Sequence, residues 1–184
     1  MRAWRSLHGF TAIELIVAGS IGTVLGGVML VLATGMSQSY SAQVTLNQLS
    51  GYLDTATEQL KRDIWSAIDA CSAACPAGLG GPWLALDLPP ANFGSGAWGD
   101  PDIRYTVDTT AAGNVKLVRE QRTGGAWGPK RVVAQSVVQG AGTVASVNGA
   151  LVTFRIAASK TVSGRAYPRS IPDTSYRRQV PPPP

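Results

Sequence analysis

Residues 9–36 read GFTAIELIVAGSIGTVLGGVMLVLATGM, and this stretch decides the fold. From Phe10 to Gly35 there are 26 residues and a single charge, Glu14. A helix rises 1.5 Å per residue, so roughly 20 apolar residues cross a bilayer core. The stretch is long enough to span. Residues 1–9, MRAWRSLHG, carry Arg2 and Arg5 and no acid. Flanking cations stay cytoplasmic, which puts the chain after about residue 36 on the far side. A secretory signal peptide fits less well. Its apolar region runs ~7–15 residues to a small-x-small cleavage site. Here the run is longer, and only Ala33-Thr34-Gly35 offers a weak site of that kind. A plain membrane anchor explains everything except Glu14.

A carboxylate inside a spanning helix costs ~2.5 kcal/mol or more at full depth, so such groups are paired and functional. Its setting, Gly9-Phe10-Thr11-Ala12-Ile13-Glu14-Leu15, follows a short basic leader and opens an apolar helix. GFTAIELIVA resembles the signature of type IV prepilins. The resemblance covers residues 1–35 and implies cleavage between Gly9 and Phe10 by a prepilin peptidase, then N-methylation of Phe10. It also implies that Glu14 pairs with the Phe10 amine of a neighbouring subunit during assembly. A buried pair of that kind gives register and partner choice more than stability. Gly22-Thr23-Val24-Leu25-Gly26 is a small-xxx-small motif that lets helices approach in lipid. Many major pilins carry a proline in this helix and this chain has none there, which favours a minor subunit.

Beyond residue 36, Tyr40, Val44, Leu46, Leu49, Leu53, Ala56, Leu60, Ile64 and Ile68 recur at three- and four-residue steps. Gln38, Gln43, Gln48, Glu58, Lys61, Arg62 and Asp63 fill the other faces. No proline occurs from Phe10 to Cys75, so the spacing predicts one helix of about 60 residues. Its assembly half is 10–35 and its soluble half 36–75. Residues 76–102 are rich in Gly and Pro and read as an irregular link, with residues 83–86 as a short strand. Residues 103–108, 115–120, 130–139 and 150–157 read as strands. Turns fall at residues 112–114, at Gly124-Gly125 and at Asn148-Gly149. The expected fold is α+β: a long N-terminal helix packed on a four- to five-stranded antiparallel sheet, the head spanning 103–170. Residues 171–184, ending in four prolines, read as a disordered tail.

Arg104-Tyr105, Leu117-Val118-Arg119, Trp127 and Val132-Val133 resemble the head pattern of J-type minor pseudopilins of type II secretion and of W-type minor pilins. Leu60-Lys61-Arg62-Asp63-Ile64 resembles the end of their helix. Gly96-Ala97-Trp98-Gly99 and Gly125-Ala126-Trp127-Gly128 read as two similar turns.

Chemistry is sparse. The only histidine, His8, lies in the leader, so a mature chain has no Ser/His/Asp or Cys/His arrangement. No phosphate-binding glycine loop with a lysine occurs, no cofactor or metal is expected, and the chain does not read as an enzyme. Asp100, Asp102 and Asp108 are three acids near a loop and do not define a calcium site. Cys71 and Cys75 are a candidate disulfide outside the inner membrane, a local clip at the helix end.

Residues 36–102 hold Lys61 and Arg62 against seven acids, a net −5, while residues 103–184 hold twelve Lys/Arg against three acids, a net +9. Such asymmetry fits surfaces that meet charged partners. A nucleic acid is one such partner, and the acidic half of a neighbouring subunit is another. The resemblance implies as partners other minor pilins or pseudopilins, the major subunit, the peptidase and an inner-membrane assembly platform. The expected role is a structural subunit that primes or tips a type IV pilus or secretion pseudopilus. The alternative is a membrane-anchored adhesin or a DNA-binding subunit of an uptake filament.

Overall fold

The computed structural model describes residues 11–72, 75, 79, 81–89, 102–110, 113–123 and 125–178. The expected leader with Gly9 and Phe10, the turn expected at residues 96–99 and the final prolines lie outside these. The chain forms two compact units, Met1–Gln43 and Val44–Pro184. One helix, α1 (Ala12–Ser66), contributes to both.

In the first unit, α1 is exposed from Ala12 to Tyr40, and it is long and apolar enough to cross a membrane. Three of its hydroxyls bond back to the helix's own carbonyls. Ser20 donates to the Val17 carbonyl at 2.8 Å, Thr23 to Ser20 at 2.8 Å, and Thr34 to Val31 at 2.9 Å.

In the second unit, Leu49, Leu53, Ala56, Leu60 and Ile64 form one buried stripe at helical spacing. Each fully buried Leu or Ile stabilises by roughly 1.5–3 kcal/mol. The helix stops at Ser66, short of the expected Cys75. Nothing in Ala67-Ile68-Asp69-Ala70-Cys71 breaks a helix, so tertiary pairing decides the end. Ala67 and Ala70 are buried, and β1 (Asp69–Cys71) joins β2 (Leu84–Asp87) with Ala70 opposite Leu86. Cys71 and Cys75 are joined by a disulfide with Cα atoms 5.4 Å apart. It therefore closes a loop after β1 rather than clipping the helix terminus.

Two antiparallel sheets replace the single one expected. The larger runs β1, β2, β3 (Ile103–Asp108), β4 (Lys116–Thr123), with β5 (Ala126–Trp127) and β6 (Arg131–Gln135) both pairing β4. The smaller is β7 (Val144–Asn148), β8 (Leu151–Val162) and β9 (Arg165–Arg177). A 3-10 turn at Gly140–Gly142 separates β6 from β7. The Asn148-Gly149 hairpin joins β7 to β8, with Gly149 at φ +57°. β2 lies inside the stretch read as an irregular link, and its Leu84, Ala85 and Leu86 are fully buried.

β9 corrects the disordered tail. Residues 171–177 of the expected tail belong to β9, which among the described residues pairs with β8 alone; it holds Pro168 and Pro172 because a sheet edge tolerates proline. Arg178 then fixes the chain: its guanidinium donates to the Ile68 carbonyl, to Gly149 at 3.2 Å, and meets Asp69 at 3.3 Å. The helix stripe and both sheets share one core. Tyr105 and Phe154 are its largest fully buried side chains, and Trp83 stands edge-on to each at 6.5 and 6.4 Å.

Candidate functional site

Two sets of residues carry the chemistry of this chain, one in each unit. In the first, Thr11 and Glu14 form a reciprocal capping box at the start of α1. Glu14 Oε2 accepts from the Thr11 backbone N–H at 2.8 Å and from the Thr11 hydroxyl at 3.0 Å, and the Glu14 N–H donates to Thr11 Oγ1 at 3.3 Å. A carboxylate in the first turn also complements the helix dipole. Glu14 thus has a local role that the sequence argument did not name. Its Oε1 makes no hydrogen bond among the described residues. Next to it, Ile13 and Leu15 are 74% and 65% exposed. A Cβ placed at Gly19, Gly22 or Gly26 would meet no atom within 4 Å. These residues lie one turn apart, so the segment presents an apolar face with a strip of bare backbone along it.

In the second unit, the residues quoted for the head resemblance converge. Asp63, assigned to a polar face by helical spacing, is buried. Tyr105 on β3 donates its hydroxyl to Asp63 Oδ2. Arg119 on β4 donates Nε to the same oxygen at 2.6 Å and Nη2 to Oδ1 at 3.3 Å. Gln59, one turn earlier, donates to Oδ1 at 3.1 Å. The carboxylate therefore ties the end of α1 to two strands. Burial, then the Asp63 charge, push the Tyr105 phenol far above its ordinary range, so it stays a donor. On the other face of the same strands, Arg104 forms a two-pronged pair with Glu120 at 2.8 and 3.1 Å. The Arg104 guanidinium lies over Trp127, 4.3 Å from the ring centroid. Sequence reasoning found Arg104, Tyr105, Arg119 and Trp127 as pattern elements and missed Asp63, Gln59 and Glu120 as their partners.

The acids considered for calcium do not come together. Asp102 precedes β3 and accepts from the Leu88 N–H at 3.1 Å, while Asp108 ends β3 and is engaged by Thr110 and Lys130. Asp100 lies outside the described residues, among which no group of three or more His, Cys, Asp or Glu could hold a metal. Asp102 instead sits with Asp69 and Asp87. Burial, then the charges of Asp102 and Asp69, push the Asp87 carboxyl up to about 6. Between its ordinary value of 3.8 and about 6, the native state holds this proton and the unfolded state does not. Stability therefore falls as pH rises through that window. The full shift corresponds to ~3 kcal/mol. Solvent screening at this half-buried position leaves about 1 kcal/mol. Asp87→Asn should raise the melting temperature at pH 7 by roughly 2–4 °C and leave it unchanged below pH 4. Thermal melts at both pH values check this.

Comparison with family models, with characterised proteins and with solved structures finds no match for this chain.

Proposed function

We propose that this chain is a minor pilin or pseudopilin, a structural subunit that inserts in the inner membrane, loses residues 1–9 and joins an envelope filament through α1. The observation that carries the reading is the division of α1. Its first part is apolar, exposed and membrane-length, and its second part supplies the buried stripe of a β-rich head. A simple anchor has no need to continue as the core helix of the domain it tethers. An exposed apolar helix with glycine-bared backbone also has a use after leaving the bilayer, because it can pack against like helices. Glu14 then gives that packing its register by meeting the Phe10 amine of a neighbour, which the prepilin-like leader would create. The charge network at Asp63 holds the head on the helix and takes no part in catalysis.

The reading is tested by where the chain goes. Mechanical shearing should release the mature chain from cells together with filaments, in amounts small beside the major subunit. A chain that stays wholly in the membrane fraction while filaments are shed contradicts it.

A further inference from the structure

β8 and β9 continue as a two-stranded ribbon beyond Ala158, the last buried residue of β8. Between Ser159 and Ser170 no residue is buried. A two-residue turn, Ser163-Gly164, closes the ribbon with φ of 50° and 77°.

The register decides what each face carries. Ala158 stands opposite Arg169, Lys160 opposite Tyr167, and Val162 opposite Arg165. Opposed residues share a face, and the face alternates along each strand. Val152, Phe154, Ile156 and Ala158 point into the core. Lys160, Val162, Arg165, Tyr167 and Arg169 continue that same face past the point where the core ends. The opposite face holds Ser159, Thr161, Ala166, Pro168 and Ser170, all small and uncharged. Cations have thus been placed where a longer core would have placed apolar side chains.

These cations differ from five others in the head. Arg104, Arg119, Lys130, Arg155 and Arg178 each face a carboxylate of this chain. Among the described residues none pairs with Lys160, Arg165 or Arg169, and residues 159–172 contain no acid. Arg165 lies 5.9 Å from the Tyr167 ring centroid. Alternate residues on a strand face are about 6.8 Å apart, so Arg165 and Arg169 flank Tyr167 in an even row. Pro168 and Pro172 blunt the outer edge of β9, which disfavours strand addition and leaves the side-chain face as the contact surface. Acids of a second copy would meet the cations but offer nothing planar for Tyr167 to stack on. A single nucleic-acid strand offers both phosphates for the cations and unstacked bases for the open part of the half-buried Tyr167 ring.

We propose that this ribbon face binds single-stranded nucleic acid, with Lys160, Arg165 and Arg169 on phosphates and Tyr167 stacked on a base. The inference does not rest on the filament reading.

The test is fluorescence anisotropy of a labelled oligothymidylate with the full chain in detergent, across a salt series. Three phosphate contacts to a single strand predict a log–log salt slope of about −2. Replacing Lys160, Arg165 and Arg169 together by Ala should weaken binding at least tenfold and flatten that slope. Tyr167→Ala should weaken binding at least about fivefold and leave the slope unchanged. All four positions are off the core, and near-UV circular dichroism of each variant confirms an unaltered fold. Absence of binding by the wild type, or wild-type affinity in the triple variant, overturns the proposal. So does full affinity in Tyr167→Ala, which would mark a generic polyanion surface. Salt-sensitive self-association lost in the triple variant, without oligonucleotide binding, would assign the face to a second copy and also overturns it.

Discussion

Asp63→Ala should destabilise the head by about 3–5 kcal/mol, a large share of the roughly 5–15 kcal/mol that holds a domain folded. The reason is what the substitution leaves behind. Arg119 and Tyr105 would keep their burial and lose the acceptor of their hydrogen bonds. An unpaired guanidinium that is only 12% exposed costs far more than the pair contributes. Thermal unfolding followed by near-UV circular dichroism measures the loss, because Tyr105 and Trp83 report on the core. A decrease of about 10 °C or more is expected. Asp63→Leu with Arg119→Met should recover most of it, since both charges leave together. Glu58→Ala is the control. Glu58 meets Lys61 at 3.8 Å on the exposed surface, and its loss should change stability by less than about 0.5 kcal/mol.

Glu14→Ala should leave insertion and processing intact and reduce recovery in sheared filaments at least about tenfold, the factor given by 1.4 kcal/mol. A charge pair desolvated between helices loses more than that when one member is removed. The capping box complicates the reading of alanine alone, because Glu14 also accepts from Thr11. Loss of a cap costs typically ~1 kcal/mol of helix stability. Glu14→Gln separates the two roles, since glutamine keeps the capping geometry and removes the charge. If Glu14 pairs with an amine, Gln should be as defective as Ala. If Gln restores incorporation, the cap is the whole role of Glu14.

Much of this fold was legible in the chain because long periodic signals are hard to override. The helical spacing from Leu49 to Ile64 and the alternation of Ile103–Asp108 appear in the structure as read. Short segments were lost to tertiary effects. Ala67–Cys71 has ordinary helix formers, yet pairing with β2 and the burial of Ala67 and Ala70 turn it into a strand. Residues 171–177 were read into a tail because it ends in four prolines, yet pairing with β8 makes them the end of β9.

The head network was half legible. Arg104, Tyr105 and Arg119 stood out as a pattern, but one sequence cannot show that their partner is Asp63, 42 and 56 residues away from Tyr105 and Arg119. Helical spacing placed Asp63 beside Arg62 on a polar face, because a buried carboxylate next to buried Ile64 leaves no periodic trace. A buried polar residue is revealed by what pairs with it, and the pairing is long-range.

The prepilin reading of residues 9–14 remains the central claim, and the capping box sharpens it without replacing it. The first turn is built around Glu14 whether or not a neighbour's amine arrives. Under the proposed function, cleavage is what would make the segment an assembly signal, by freeing an α-amine at Phe10. Intact-mass and N-terminal peptide mass spectrometry of the chain from membranes of its own cell tests this most directly. The account predicts a chain that begins at Phe10, lacks residues 1–9 and carries one N-methyl group. A chain that retains Met1, or one cut near Gly35, would contradict it.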